Sequence, residues 1–134
     1  MRPTSILIVE RDRQLRNGLV EIFRRYGFQA WGCSRERLVH RFLKHFRPDY
    51  LIADISMSDR SQMPALLSRW KMSSPATHVI LEYSFHDSDL RHTALSAGAF
   101  ALIVKPFLVE PFLRMIRQQG RPVWPGPLTE GSTA

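Results

Sequence analysis

Apolar runs of strand length alternate along this chain with segments whose apolar residues recur at helical spacing, the pattern of repeated βα units around a parallel sheet. Ser5 to Val9 is continuously apolar, as expected for a central strand covered on both faces. Leu15, Leu19, Ile22, Phe23 and Tyr26 then mark a helical core stripe, with Asp12 as N-cap and Gly27 as the stop. Phe28 to Cys33 reads as the second strand. Ser34 is placed to cap a helix carrying Leu38, Val39, Phe42 and Phe46, which Pro48 closes. Asp49 to Asp54 is the third strand, Ile55 to Gln62 a polar loop, and Met63 to Met72 a helix with Pro64 in its first turn. Thr77 to Glu82, Asp87 to Ala97 with Gly98 after it, and Phe100 to Val104 give the fourth strand, fourth helix and fifth strand. A last helix runs from Pro111 to about Gln118.

Five such units predict an α/β fold with a sheet of five parallel strands and five helices, in one domain over residues 1–119. Residues 120–134 are rich in Pro and Gly, which predicts a flexible tail. The formal net charge of +7 raises the question of nucleic acid. However, Arg13, Arg16, Arg24 and Arg25 on one predicted helix, and Arg35, Arg37, Arg41, Lys44 and Arg47 on or beside the next, read as solvated faces interrupted by Glu21 and Glu36. There is no arginine-rich tract or zinc-finger spacing, so direct nucleic-acid binding is not expected, and an acidic protein partner suits the charge as well as DNA does. The lone Cys33 excludes an internal disulfide and fits a reducing compartment. No run is long enough to span a bilayer, and a cytoplasmic location follows as the default. His40, His45, His78, His86 and His92 lack metal-ligand spacing.

In open α/β sheets, functional groups gather where the strands end at their carboxyl edge. Those ends carry Glu10 and Arg11, then Asp54, then Tyr83 and Ser84, then Lys105 followed by Pro106. With Ile-Leu-Ile-Val-Glu at 6–10, Arg-Pro-Asp-Tyr-Leu-Ile-Ala-Asp at 47–54, Met57, Ala-Leu-Ser-Ala-Gly-Ala at 94–99 and Val-Lys-Pro-Phe at 104–107, the chain resembles the receiver domain of two-component response regulators over about residues 5–118. The resemblance implies a flavodoxin-like sheet in the order 2-1-3-4-5. It also implies a phosphoacceptor at Asp54 served by a histidine kinase, and a lysine at 105 that contacts the phosphoryl group. No enzymatic activity is implied beyond self-phosphoryl transfer and autodephosphorylation at Asp54.

Phosphorylating a carboxylate gathers negative charge, which receivers offset with Mg²⁺ held by an acidic pair, the acceptor and a backbone carbonyl. Here the pair reads Glu10-Arg11, and a guanidinium cannot ligate a metal. Asp12 is the remaining acidic residue of that loop. The positions of the family's switch hydroxyl and switch aromatic fall on Tyr83 and Leu102, Ser58 replaces a proline, and Gln62 stands at a loop glycine. The chain thus resembles an atypical, pseudo-receiver-like member. In this reading Asp54 is an ion-paired carboxylate held by Arg11 and Lys105. Phosphorylation is weak or absent, no cofactor binds tightly, and the domain serves as an interaction module or homodimerises through helix 4, strand 5 and helix 5. The alternative is a conventional phosphorelay receiver with a weakly held Mg²⁺ on Glu10, Asp54 and the Ser56 carbonyl.

Overall fold

The computed structural model describes residues 2–54, 60–83, 88–104 and 109–117. Strands β1 (Ser5–Val9), β2 (Gln29–Cys33), β3 (Tyr50–Asp54), β4 (His78–Tyr83) and β5 (Ala101–Val104) form one sheet in the order β2-β1-β3-β4-β5, every pair parallel. Helices α1 (Arg13–Arg25), α2 (Val39–Phe46), α3 (Met63–Ser73), α4 (Ser88–Ser96) and α5 (Val109–Arg117) connect and follow them. This is the flavodoxin-like order expected from the sequence. The alternation of side chains along each strand separates two cores. Ile6, Ile8, Ile52, Ile80 and Ile103 pack with Leu19 and Phe23 of α1 and Phe112 and Met115 of α5. Leu7, Val9, Leu51, Val79 and Leu81 pack with Val39 and Leu43 of α2 and Met63, Leu67 and Trp70 of α3.

The helix ends follow local chemistry. The Asp12 carboxylate accepts the Leu15 N–H at 3.0 Å and caps α1, and Gly27, at φ +93°, makes the turn into β2 that an L side chain would strain. The second helix departs from expectation. Ser34 makes no cap; a 3₁₀ turn, Glu36–Leu38, leads into α2 without a side-chain cap. Its C-cap is Arg47, at φ 44° the non-glycine left-handed residue among those described.

Two predicted core stripes also shift. On α1 only Leu19 and Phe23 are buried, while Leu15, Ile22 and Tyr26 are exposed, Tyr26 at 51%. On α2 the core residues are Val39 and Leu43, and Phe46, 52% exposed, instead lies against Phe42 and the Trp31 ring on the edge strand β2. Periodicity supplied too wide a stripe in each case, since a helix laid on a sheet buries a narrower arc than one inside a bundle.

At the opposite, amino-terminal edge of the sheet, Asp49 ties β1 to β3. Its carboxylate accepts the Ser5 amide at 2.8 Å and the Arg2 guanidinium at 2.9 and 3.0 Å. The Thr77 hydroxyl donates to the Pro48 carbonyl, so the Ser74 hydroxyl, 2.6 Å away, must be the donor to Thr77.

Candidate functional site at the carboxyl edge

Register fixes which side chains meet at the carboxyl edge. Val9 pairs with Ala53, and Asp54 pairs with Glu82, so one step past β1 the residue Glu10 falls level with Asp54. By alternation Glu10, Asp54 and Glu82 share the face of Ile8, Ile52 and Ile80, next to α1 and α5. All three are buried, at 4%, 6% and 1% exposure. A row of three carboxylates thus crosses β1, β3 and β4, where neighbouring strands lie roughly 4.8 Å apart. Glu82 is the member that reading the sequence overlooked, having been taken only as the end of a strand. The signal was present: a carboxylate within the apolar run His-Val-Ile-Leu-Glu-Tyr.

The loop after β1 is held from several sides. The Glu10 amide donates to the Cys33 carbonyl at 2.9 Å, and the Asp12 amide donates to Glu10 Oε2 at 3.0 Å. The Arg16 guanidinium reaches back from α1 to donate to the carbonyls of Glu10 at 2.9 Å and Arg11 at 3.3 Å. Arg16 can lie there because Gly32 has no side chain; a Cβ at that position would stand 2.8 Å from Arg16 Cγ. Farther along α1, Arg24 donates twice to the Ala30 carbonyl and so covers part of the open edge of β2. Glu10 therefore already spends one carboxylate oxygen on its own loop. Asp12, expected as either an acidic-pocket residue or a cap, acts as the cap of α1.

Arg11 is exposed and borders a small concavity of about 210 Å³ with Ser34, Arg35, Glu36 and Arg37. Tyr83 and Leu102, which the family resemblance aligns with the switch positions, are both buried in the same apolar cluster, on the α2 and α3 side of the sheet, opposite the carboxylate row. Neither can swing without opening that core. Lys105 and Ser56 lie outside the described residues, as do Met57, Ser58, Ser84, Pro106 and the 120–134 tail. Among the described residues no three His, Cys, Asp or Glu side chains are grouped so as to hold a metal ion. Cys33 is buried, and that burial pushes its thiol pKa up, against opposing effects of the Arg35 backbone and the Arg16 charge.

Comparison with known proteins places these features. The family model of the response regulator receiver domain matches residues 6–117. The DNA-binding transcriptional regulator NtrC of Proteus hauseri is 28% identical over 118 residues, which cover 88% of this chain but only 25% of that protein. The chain thus spans about a quarter of that relative's length. A response regulator from Thermotoga maritima has the same fold, with a TM-score of 0.76 at 22% identity over 87% of this chain and 96% of that one. The beryllofluoride-activated NtrC4 receiver domain dimer gives a TM-score of 0.71 at 23% identity, covering 85% of this chain and 93% of that one. At these identities the structural likeness speaks to fold.

Proposed function

The chain belongs to the response regulator receiver domain family of two-component signalling, and from that premise we propose that it works as a regulatory interaction module in which phosphorylation of Asp54 is weak or absent. The observation that carries this reading is the row of buried carboxylates, Glu10, Asp54 and Glu82, at the carboxyl edge. Arg11 stands where a second acidic ligand would, and Glu82 adds a carboxylate in register with Asp54 on the same face. A phosphoryl group on Asp54 adds negative charge to that row. Two unit charges about 5–6 Å apart repel by roughly 3 kcal/mol at an effective dielectric constant of 20. The donor set does not suit a resident Mg²⁺ to offset this, because Glu10 is partly committed to the Asp12 amide and a guanidinium has no lone pair to give. In this reading the positive charge that a receiver takes from a metal is supplied by Arg11 together with Lys105.

The packing of Tyr83 and Leu102 supports the same reading, since a domain that does not respond to phosphate has no use for a mobile switch. For partners, exposed Leu15, Ile22 and Tyr26 on α1 offer apolar area to a histidine kinase or another signalling protein. Homodimerisation through α4, β5 and α5 is the second mode; the beryllofluoride-activated NtrC4 receiver domain, similar in fold, is itself a dimer.

The test is incubation of the full chain with acetyl phosphate and magnesium, followed by intact-mass analysis. Little or no added mass is expected. Rapid, near-complete modification that disappears in Asp54→Asn would establish the conventional phosphorelay reading instead. Arg11→Asp is expected to create a saturable magnesium response that the native chain lacks; a native chain that responds equally refutes the role given to Arg11.

A further inference from the structure

Away from the carboxylate row, a cavity of about 580 Å³ opens between the start of α2 and the start of α3. Its volume falls within the range of small-ligand pockets. Arg37 and His40 line it from one side and Arg69 from the other, while Leu66 and the buried Trp70 supply apolar wall. The side chains of Arg37, His40 and Arg69 make no hydrogen bond or ion pair with any described residue, although ion pairs form elsewhere, at Arg2–Asp49 and Arg25–Glu21. Among the described residues Glu36 is the one carboxylate on the wall. Ser61 and Gln62, which also line the cavity, lead directly into α3, whose N-terminus has no side-chain cap. Through Glu36 and Arg37 the cavity adjoins the concavity bordered by Arg11 and Arg35.

We propose that this cavity binds a phosphate ester of the nucleotide class, with the phosphate on Arg37 and Arg69 and the apolar body against Leu66 and Trp70. Guanidinium forks match phosphate oxygens with paired donors, and two arginines lining one cavity offer an anion more such donors than a single surface arginine does. The concave shape and the apolar wall favour a small ligand over an extended polyanion, which would track a ridge or open groove. The proposal is independent of whether Asp54 is phosphorylated.

The full chain, labelled with ¹⁵N, is titrated at physiological salt with AMP and, separately, with inorganic pyrophosphate, following the Trp70 indole N–H. AMP is expected to give a saturable shift. Arg37→Ser and Arg69→Ser should each weaken it about tenfold, the worth of one charge-assisted contact. Arg41→Ser, an exposed α2 arginine outside the cavity, should leave it unchanged. All three sites are exposed, so the variants are expected to keep the native far-UV circular dichroism and melting temperature. The proposal is overturned by a shift that never saturates, by saturation with pyrophosphate but not AMP, or by an Arg41→Ser loss equal to the other two. An oligonucleotide that displaces AMP and binds more tightly per phosphate also overturns it, in favour of a nucleic-acid surface.

Discussion

Replacing Gly32 with alanine puts a methyl group 2.8 Å from Arg16 Cγ and 3.1 Å from its Cδ, so the arginine must move. Moving it releases the bonds to the Glu10 and Arg11 carbonyls, at 2.9 and 3.3 Å. For a half-buried charged donor these are worth about 1.5 kcal/mol together, at the low end for bonds to charged groups. Against this, alanine is favoured over glycine in a strand by roughly 0.5–1 kcal/mol. Gly32→Ala alone should therefore destabilise the domain by about 0.5–1 kcal/mol, which corresponds to a fall of a few °C in Tm. In an Arg16→Ala background the same change should instead stabilise, since nothing remains to displace except a tight contact with Val20 Cγ2 at 3.3 Å. The double-mutant cycle, read by urea denaturation with far-UV circular dichroism, should give a coupling of about 1.5 kcal/mol. The Asp12 amide resonance should move in both single variants, because its bond to Glu10 Oε2 depends on the same loop. If Gly32→Ala has the same sign and size in both backgrounds, Arg16 is not the residue the methyl meets, and the clamp on the Glu10-Arg11 loop is wrongly assigned.

Asp49 gives a dependence on pH. Partial burial works against its ionisation, but the Arg2 guanidinium and the Ser5 amide and hydroxyl outweigh that and hold its pKa below the usual carboxylate value. A folded pKa below the unfolded one, about 3.9, means stability that is full above that value and is lost as pH falls through the folded pKa. Asp49→Ala should cost about 1–3 kcal/mol at neutral pH by stranding the buried Ser5 amide, and its deficit relative to the native chain should shrink in acid; a deficit constant from pH 7 to 3 refutes this. Asp12→Ala should cost about 1 kcal/mol through loss of the α1 cap, measured by urea denaturation, and an unchanged midpoint contradicts the cap. Arg47→Gly should raise stability by roughly 0.5–1 kcal/mol, because glycine takes the φ of 44° without strain; a lower melting temperature would mean that the Arg47 side chain has a role. Cys33, buried and with its thiol pKa raised, should react with iodoacetamide only as fast as the chain unfolds, whereas prompt alkylation in the native state would place it at the surface.

The unit count and the caps at Asp12 and Gly27 were legible because each rests on local chemistry, namely apolar runs, a short acceptor side chain and a residue without Cβ, whereas the strand order came only with the family resemblance. The strand-end positions of Glu10 and Asp54 were legible in the same way, since the end of an apolar run is a local feature. The width of each helix's buried stripe was not legible. Leu15, Ile22, Tyr26 and Phe46 sit at core spacing yet face outward, because how much of a helix is covered depends on what lies opposite it.

The chain by itself determined that a parallel α/β sheet would end one strand on Glu10-Arg11 and another on Asp54. Only the tertiary structure decided that Glu82 stands level with Asp54, since a carboxylate inside one apolar strand does not say which residue of a neighbouring strand it will pair with. It alone brought Arg37 and Arg69, 32 positions apart in sequence, to one cavity, because contacts between α2 and α3 exist only once both helices lie on the same face of the sheet.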